Sequence, residues 1–173
     1  MLIPPILQAV LAEYTLPWDG FHGVAHWARV LENGLLLAEE TGAHIEVVTL
    51  FALLHDARRV NEGTDPEHGQ RGADLAAQMR GRLFHLDEAA FALLYRACAD
   101  HTHEPTHPDI TIQTCFDADR LDLGRVGITP DPRRLCTAAA RRGETLDWAH
   151  RRACADFIPP RIHQEWGMGS LEG

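Results

Sequence analysis

Apolar residues recur along most of the chain at intervals of three and four, the spacing that places them on one face of an α-helix. No segment shows the sustained alternation of apolar and polar residues that is typical of a β-strand. The pattern therefore predicts an all-α protein, a single domain over residues 1–173 with seven or eight helices. The approximate limits of the predicted helices are 4–14, 21–41, 45–58, 66–80, 86–99, 112–123, 133–142 and 145–157.

The third predicted helix, Ile45 to Arg58, is apolar on most of its faces, which indicates the central buried helix. It ends in His55 and Asp56. Aspartate is almost never fully buried unless it is paired or bound to a metal. A histidine and an aspartate at the end of a buried helix therefore indicate a functional site. The tail from Pro159 onward has no comparable pattern, and we expect it to be frayed or loosely packed.

Composition narrows the classes of partner. The 173 residues carry a net charge of −9, which argues against a nucleic-acid backbone or an anionic membrane as the main partner. A small phosphorylated substrate is compatible with this net charge, because local cations can make a binding site positive in an acidic protein. A homo-oligomer is compatible with it as well. The four scattered cysteines indicate neither a disulfide framework nor a zinc ribbon. The sequence shows neither the pattern of a cleavable signal peptide nor an apolar run of membrane-spanning length, so we expect a cytoplasmic protein.

Eleven histidines are many for this length, and several stand near carboxylates. His22 and His26 share one helix face because they are four residues apart, a spacing that suits either a metal or surface and capping roles. His55 and Asp56 diverge by about 100° on a helix. Both can therefore reach one ion only if it sits beside the helix end. The alternative is that His55 is a core residue and Asp56 pairs with a following arginine.

Further candidate ligands follow the His-Asp pair. His68 stands near the start of the fourth predicted helix, either as a ligand or as an exposed first-turn residue. His101 follows the fifth, where a cationic histidine would also favour the negative pole of the helix. Asp117, Asp119 and Asp122 lie within six residues of an otherwise apolar helix. Positions 119 and 122 are one turn apart, so one can face inward while the other pairs with an arginine.

Three motifs together resemble the HD superfamily of metal-dependent phosphohydrolases. They are His26-Trp-Ala-Arg-Val, Leu-Leu-His55-Asp56 and Asp117-Ala-Asp119-Arg-Leu. The resemblance covers about residues 22–127, and it implies an HD-type helical bundle with its metal-site core in that range. It also implies that His26, His55, Asp56 and Asp119 are the primary metal ligands. Asp119 is preferred to Asp117 because the family's last ligand directly precedes an Arg/Lys-Leu step.

A second metal is implied by the same resemblance. His68 and His101 stand where some family members, including those that look like dinucleoside-tetraphosphate hydrolases, add two histidines. Asp56 would then bridge two ions. The implied cofactor is one or two divalent ions, with iron or manganese favoured for a mixed nitrogen and oxygen ligand set over zinc, magnesium, nickel or cobalt.

The implied activity is a phosphomonoesterase or phosphodiesterase that acts on a nucleotide or other small phosphate ester through a metal-activated water. Arg29, Arg58 and Arg120 are candidates to face the phosphate, since guanidinium matches phosphate oxygens bidentately. Each arginine has the alternative of a surface ion pair. His22 or Asp117 would supply or accept a proton beside the ion.

Two other classes fit the same ligand pattern. One is a di-iron oxygenase, as in a few relatives, and the other is a non-catalytic nucleotide-binding or regulatory module with a structural metal. His101 is not followed by the GYP signature of the cyclic-di-GMP phosphodiesterases, and no synthetase domain accompanies the motif. The resemblance therefore does not identify the substrate.

Overall fold

The computed structural model describes residues 2–168, which form eight α-helices and two short 3-10 helices. The α-helices are α1 (Ile3–Glu13), α2 (Val24–Thr41), α3 (Ile45–Leu54), α4 (His68–Met79), α5 (Glu88–Asp100), α6 (Ile110–Arg120), α7 (Gly143–Cys154) and α8 (Arg161–Gln164). Within residues 2–168 there is no β-strand, only an isolated bridge between Arg80 and Phe84. This confirms the all-α prediction. No helix in that range is both long and apolar enough to cross a membrane.

Helix α3 is the centre of the fold, as its apolar sequence predicts. Every side chain from Val47 to Leu54 is buried, and the helix packs against α1, α2, α4, α5 and α6. It ends four residues earlier than predicted, at Leu54. The amides of Ala57 and Arg59 donate to carbonyls three residues back, so the chain from His55 onward forms tight turns rather than a regular helix.

The predicted helix over residues 133–142 is wrong. Only Pro132–Arg134 is helical, as a 3-10 turn, and residues 135–142 form turns and loop. The carboxylate of Asp117 accepts hydrogen bonds from the backbone amides of Cys136 and Thr137 and from the Thr137 hydroxyl. These bonds to α6 take amides that a helix would pair internally, so a tertiary contact overrides the helical propensity of the alanines that follow.

The expectation of a loosely packed tail is also wrong for the described part of it. Residues 161–164 form α8, and Ile162 and Trp166 are buried against the main core. Apolar residues that cover a core are ordered by that burial even when the segment is short. Residues 169–173 lie outside the described part of the chain.

Two glycines let α4 approach its neighbours closely. A Cβ at Gly72 would lie 2.3 Å from the carbonyl oxygen of Leu54, at the end of α3. A Cβ at Gly69 would lie 2.4 Å from the carbonyl oxygen of Cys98 in α5. Because real Cβ atoms do not approach oxygen so closely, only glycine permits this packing. The first turn of α4 is thereby held next to the ends of α3 and α5.

Candidate metal centre

Six polar side chains converge where these helix ends meet. They come from five elements: α2, the turn after α3, the first residue of α4, the residue that follows α5, and α6. They are the six residues predicted as metal ligands, namely His26, His55, Asp56, His68, His101 and Asp119. Within residues 2–168 these six form two groups of donor atoms that could hold a metal ion, and a third group of His22, His26 and Asp56 overlaps both.

The first group contains His26, His55 and Asp119. The Nε2 atoms of the two histidines lie 3.1 Å apart, and Asp119 Oδ1 lies 3.4 Å from one and 3.8 Å from the other. That carboxylate oxygen is buried and has no hydrogen-bond partner among the described residues. A buried unpartnered oxygen is costly. A cation between the three atoms would remove that cost.

The protonation of these histidines follows from their other ring nitrogens. Nδ1 of His26 lies 2.7 Å from Asp122 Oδ2, and Nδ1 of His55 lies 3.1 Å from the carbonyl oxygen of Phe51. Both partners are acceptors, so each Nδ1 carries a proton, and in the neutral ring each Nε2 presents a lone pair. When both rings are neutral, the two lone pairs face each other, and a divalent metal between them would remove their repulsion.

The second group repeats this arrangement with His68 and His101. Their Nε2 atoms lie 2.9 Å apart. Nδ1 of His101 lies 2.8 Å from the carbonyl oxygen of Cys98, and Nδ1 of His68 contacts the carbonyl oxygen of Asp65. Nε2 of His68 is also 3.1 Å from Asp56 Oδ1. The donor atoms again fit a divalent metal.

Asp56 lies between the two groups, and its two oxygens face different sides. Oδ1 faces His68, whereas Oδ2 lies 3.5 Å from Nε2 of His26 and 3.8 Å from Nε2 of His55. A carboxylate placed in this way can bind one ion through each oxygen. This is the geometry that a bridging ligand requires.

The electrostatics favour the forms of these residues that bind metals. Burial alone would raise the pKa of Asp56, but His55 and hydrogen bonds from the neighbouring histidines hold that pKa well below its usual range. Burial opposes ionisation of Asp119 as well, and His55 and Arg125 outweigh it to lower the pKa. Burial lowers the pKa of His55 to about 3 and also lowers the pKa of His101. Ionised carboxylates and neutral imidazoles are the species that ligate metals.

His68 differs from the other histidines. Burial opposes its protonation, but the hydrogen bond to Asp56 outweighs this and raises the pKa of His68. Protons therefore compete with a metal ion for the His68 imidazole more strongly than they do for the His55 imidazole.

His22, a predicted proton carrier, borders the centre. Its Nδ1 lies 2.9 Å from Asp56 Oδ2, and its Nε2 lies 3.8 Å from a carboxylate oxygen of Glu62. The hydroxyl of Tyr14 donates to its backbone carbonyl. The side chain is largely buried yet lies at the edge of the group, which suits proton transfer beside Asp56.

Two of the arginines predicted to face a phosphate are engaged elsewhere. Arg29 donates to both carboxylate oxygens of Asp122 and to the carbonyl of Phe157, so its guanidinium supports the residue that holds His26. Arg58 forms an ion pair with Glu13, away from the centre. The tight turns after His55 are the physical reason, because they direct the side chain of Arg59, and not that of Arg58, to the centre.

Arg120 and Asp117 also serve packing. Arg120 donates to the backbone carbonyls of Glu104, Pro105 and Arg134, joining the loop after α5 to the loop before α7. Asp117 accepts the hydrogen bonds from Cys136 and Thr137 described above, and burial raises its pKa. Neither residue contacts the six converging side chains.

Three residues that the sequence did not single out for these roles lie at the centre. Arg59 Nη1 is 3.4 Å from Asp56 Oδ1 and also contacts the His68 ring. Arg125 Nη2 is 3.4 Å from His22 Nδ1 and 3.9 Å from Asp119 Oδ1. Asp122 is the partner of His26. The one-turn spacing of residues 119 and 122 was a signal for Asp122. The sequence suggested Arg59 and Arg125 only as ion-pair partners of the aspartates.

Two cavities open beside the centre. One of about 810 Å³ is lined by His101 and Thr102 at its inner end, and Thr102 Oγ1 lies 3.3 Å from Nε2 of His68. The other, of about 430 Å³, is lined by residues that include Phe21, Glu62 and Arg125. The larger cavity therefore borders the centre at His101, and the smaller one borders Glu62 and Arg125, which flank His22.

An all-helical fold in which one histidine, a His-Asp pair and a later aspartate converge defines a class of helical metal-site domains. The chain belongs to the HD domain family, whose family model matches residues 23–124. It is also similar to a solved structure, a predicted HD superfamily hydrolase from an uncultured Thermotogales bacterium. The two share 26% sequence identity, with a TM-score of 0.66 over 94% of this chain and 92% of that one. No curated protein sequence matches the chain.

Proposed function

We propose that the protein is a metal-dependent phosphohydrolase with a dinuclear centre that acts on a nucleotide or another small phosphate ester. The observation that carries this proposal is Asp56, whose two oxygens face two separate sets of histidines. Membership of the HD family and the similarity to a protein described as a predicted hydrolase support the hydrolytic reaction.

The ligand assignment follows the two groups. His26, His55, Asp56 and Asp119 would hold one ion, and Asp56, His68 and His101 the other. Imidazole and carboxylate together suit iron or manganese better than zinc, which takes fewer ligands and favours tetrahedral sites. Bound at this place, divalent ions supply a water of lowered pKa and polarise a phosphoryl oxygen.

The surrounding side chains then have distinct tasks. Arg59 and Arg125 take the role predicted for Arg29 and Arg58, because their guanidinium groups lie at the centre and can stabilise charge on phosphoryl oxygens. His22 is placed to accept a proton beside Asp56 and to release it toward the smaller cavity. Asp122 fixes the tautomer and the direction of the His26 ring.

The first experiment measures metal content and hydrolysis of phosphomonoesters and phosphodiesters for the wild type and three variants. We expect about two ions per chain in the wild type, one in His68→Ala, and loss of both metal and activity in Asp56→Ala with unchanged helical circular dichroism. His85→Ala, at an exposed histidine outside the centre, is the matched control and should behave as wild type. An Asp56→Ala protein with full metal content and activity would refute the proposal.

The same assay separates hydrolysis from the oxygenase alternative. Hydrolysis should proceed without O₂ and with a redox-silent divalent ion, because the ion acts only on water and phosphate. Activity that requires both iron and O₂ would assign the protein to the oxygenases. Metal bound without turnover of any phosphate ester would assign it to the regulatory modules.

A further inference from the structure

The larger cavity extends outward from the His68 side of the centre. Its inner end is formed by His101 and Thr102, and its outer part by the loop that precedes α7. Because the cavity touches the centre at His101, it can accommodate part of the leaving group of a phosphate ester held there. The chemistry of the cavity wall can then indicate what that group is.

The wall is positively charged although the protein is acidic. Four arginines line the cavity against two carboxylates, in a chain with a net charge of −9. The residues are Arg120, Arg133, Arg134, Arg141, Glu104 and Asp131. Arg120 and Arg141 donate mainly to backbone carbonyls, and neither forms an ion pair with a carboxylate among the described residues. A concentration of uncompensated cations in a concave surface favours anionic ligands.

Arg134 is the cation at this wall that is free to bind a ligand. Its neighbour Arg133 pairs with Asp131 at 2.8 Å. Arg134 is exposed and forms no side-chain hydrogen bond or ion pair within residues 2–168, although its charge contributes, after that of Arg133, to the lowered pKa of Asp131. A guanidinium in this state presents its full set of donors to a phosphate or carboxylate.

Size and apolar lining describe the rest of the ligand. The volume of about 810 Å³ lies in the upper part of the range for small-molecule pockets, so an inorganic phosphate would leave most of it unfilled. Apolar wall is supplied by Leu123, Ile128 and Leu135, together with two prolines. This combination suits a ring system with an anionic substituent.

Three of the four arginines of the wall, Arg133, Arg134 and Arg141, lie outside the region that the family model matches. That region ends at residue 124, whereas the wall from Ile128 to Arg141 follows it. The wall is therefore a feature that the matched core does not specify, and it is suited to set the specificity of this chain.

We propose that this cavity binds the leaving group of a phosphate ester that carries a second anionic group, as in a nucleoside bisphosphate, and that Arg134 contacts this second anion. The orientation of the ligand rests on the proposed function, because the first phosphate is taken to lie at the metal centre. The cationic wall itself does not depend on that assumption.

The test compares two ligands that differ only in the second anion, adenosine 5′-monophosphate and adenosine 3′,5′-bisphosphate. Affinities are measured by calorimetry on the metal-loaded wild type, Arg134→Ala and the control Arg82→Ala, an exposed arginine in the turn after α4. If a ligand is hydrolysed during the titration, the ratio of kcat/KM values replaces the affinity ratio. We expect the wild type and Arg82→Ala to prefer the bisphosphate by on the order of tenfold, the usual effect of a charge-assisted hydrogen bond.

In Arg134→Ala this preference should fall to near one, with binding of the monophosphate unchanged. A wild type without the preference, or an Arg134→Ala protein that keeps it, overturns the inference. Binding that depends on Arg134 without hydrolysis of either ligand supports the cavity assignment and refutes the proposed function. Hydrolysis of both ligands with equal kcat/KM in all three proteins supports the proposed function and refutes the cavity assignment.

Discussion

Four histidines at the centre share one local arrangement, in which Nδ1 contacts an oxygen and Nε2 points inward. The oxygen comes from the Asp122 carboxylate for His26, and from a backbone carbonyl for His55, His68 and His101. Backbone carbonyls are fixed by the fold, so three of the four rings are oriented by the backbone, two by helix carbonyls and that of His68 by the loop before α4. Only His26 depends on another side chain for its direction, which makes Asp122 a sensitive position.

We expect Asp122→Asn to lower the metal affinity of the first site by about 10-fold to 100-fold, since residues that orient metal ligands have effects of this size. All six proposed ligands remain in this variant. The measurement is competition for metal against a chelator, with circular dichroism to show that the fold is retained. Asp147→Asn, an exposed carboxylate on α7, is the control. Equal metal affinity in both variants would show that the contact with His26 does not orient the ligand.

At the scale of single residues, the sequence predicted which histidines and aspartates converge. It did not predict which arginine side chains point toward them. The histidines and aspartates were recognisable because such groups at the ends of apolar helices have no packing role. Arg58 and Arg59 have the same chemistry and are adjacent in sequence, so only the turns after Leu54 decide which one reaches Asp56. That choice depends on backbone geometry that no periodicity encodes.

At the scale of elements, the centre depends on how closely α4 packs against its neighbours. His68 is the first residue of α4, and the position of the helix is set by Gly69 and Gly72 against carbonyl oxygens of α5 and α3. The structure thus uses glycine to bring one half of the metal centre into place.

Gly72→Ala should lower the free energy of unfolding by about 1–3 kcal/mol, the usual cost of overpacking. It should also displace His68 and reduce the metal content from two ions to one. Gly143→Ala is the matched control, because a Cβ there meets no atom within 4 Å. Chemical denaturation and elemental analysis test the two effects. A Gly72→Ala protein with unchanged stability would show that the close contact to Leu54 relaxes easily.

The loop before α7 shows why one element could not be predicted. Residues 133–142 contain three consecutive alanines and several arginines, which favour a helix locally. The deciding contact comes from Asp117, about 20 residues earlier, which the sequence analysis considered as a proton carrier and as the less favoured alternative to Asp119 as a ligand. Periodicity was sufficient for the other helices because their apolar faces pack on the same core that their spacing predicts.

At the scale of the whole molecule, metal binding and folding are linked. The unfolded chain does not assemble the six ligands, so a bound ion stabilises only the native state. The amino-acid composition reveals neither the metal centre nor the cationic cavity, because a net charge of −9 does not show where the individual charges lie.

We expect addition of manganese or iron at about 100 times the Kd to stabilise the wild type by about 2.7 kcal/mol per ion. For a chain of this size that corresponds to an increase in Tm of roughly 5–10 °C per ion. Asp56→Ala should show almost no increase. Differential scanning calorimetry with and without a chelator makes the measurement, and an equal shift in both proteins would place the metal elsewhere.

The contact between Arg29 and the carbonyl of Phe157 has a consequence for the order in which the centre matures. All six proposed ligands lie between residues 26 and 119, so they are synthesised before Phe157. Until then Arg29 lacks one of its anchors, and the support that it gives Asp122 and His26 is incomplete. We therefore expect stable metal insertion to occur after translation of the C-terminal helices, as a late step in the maturation of the protein.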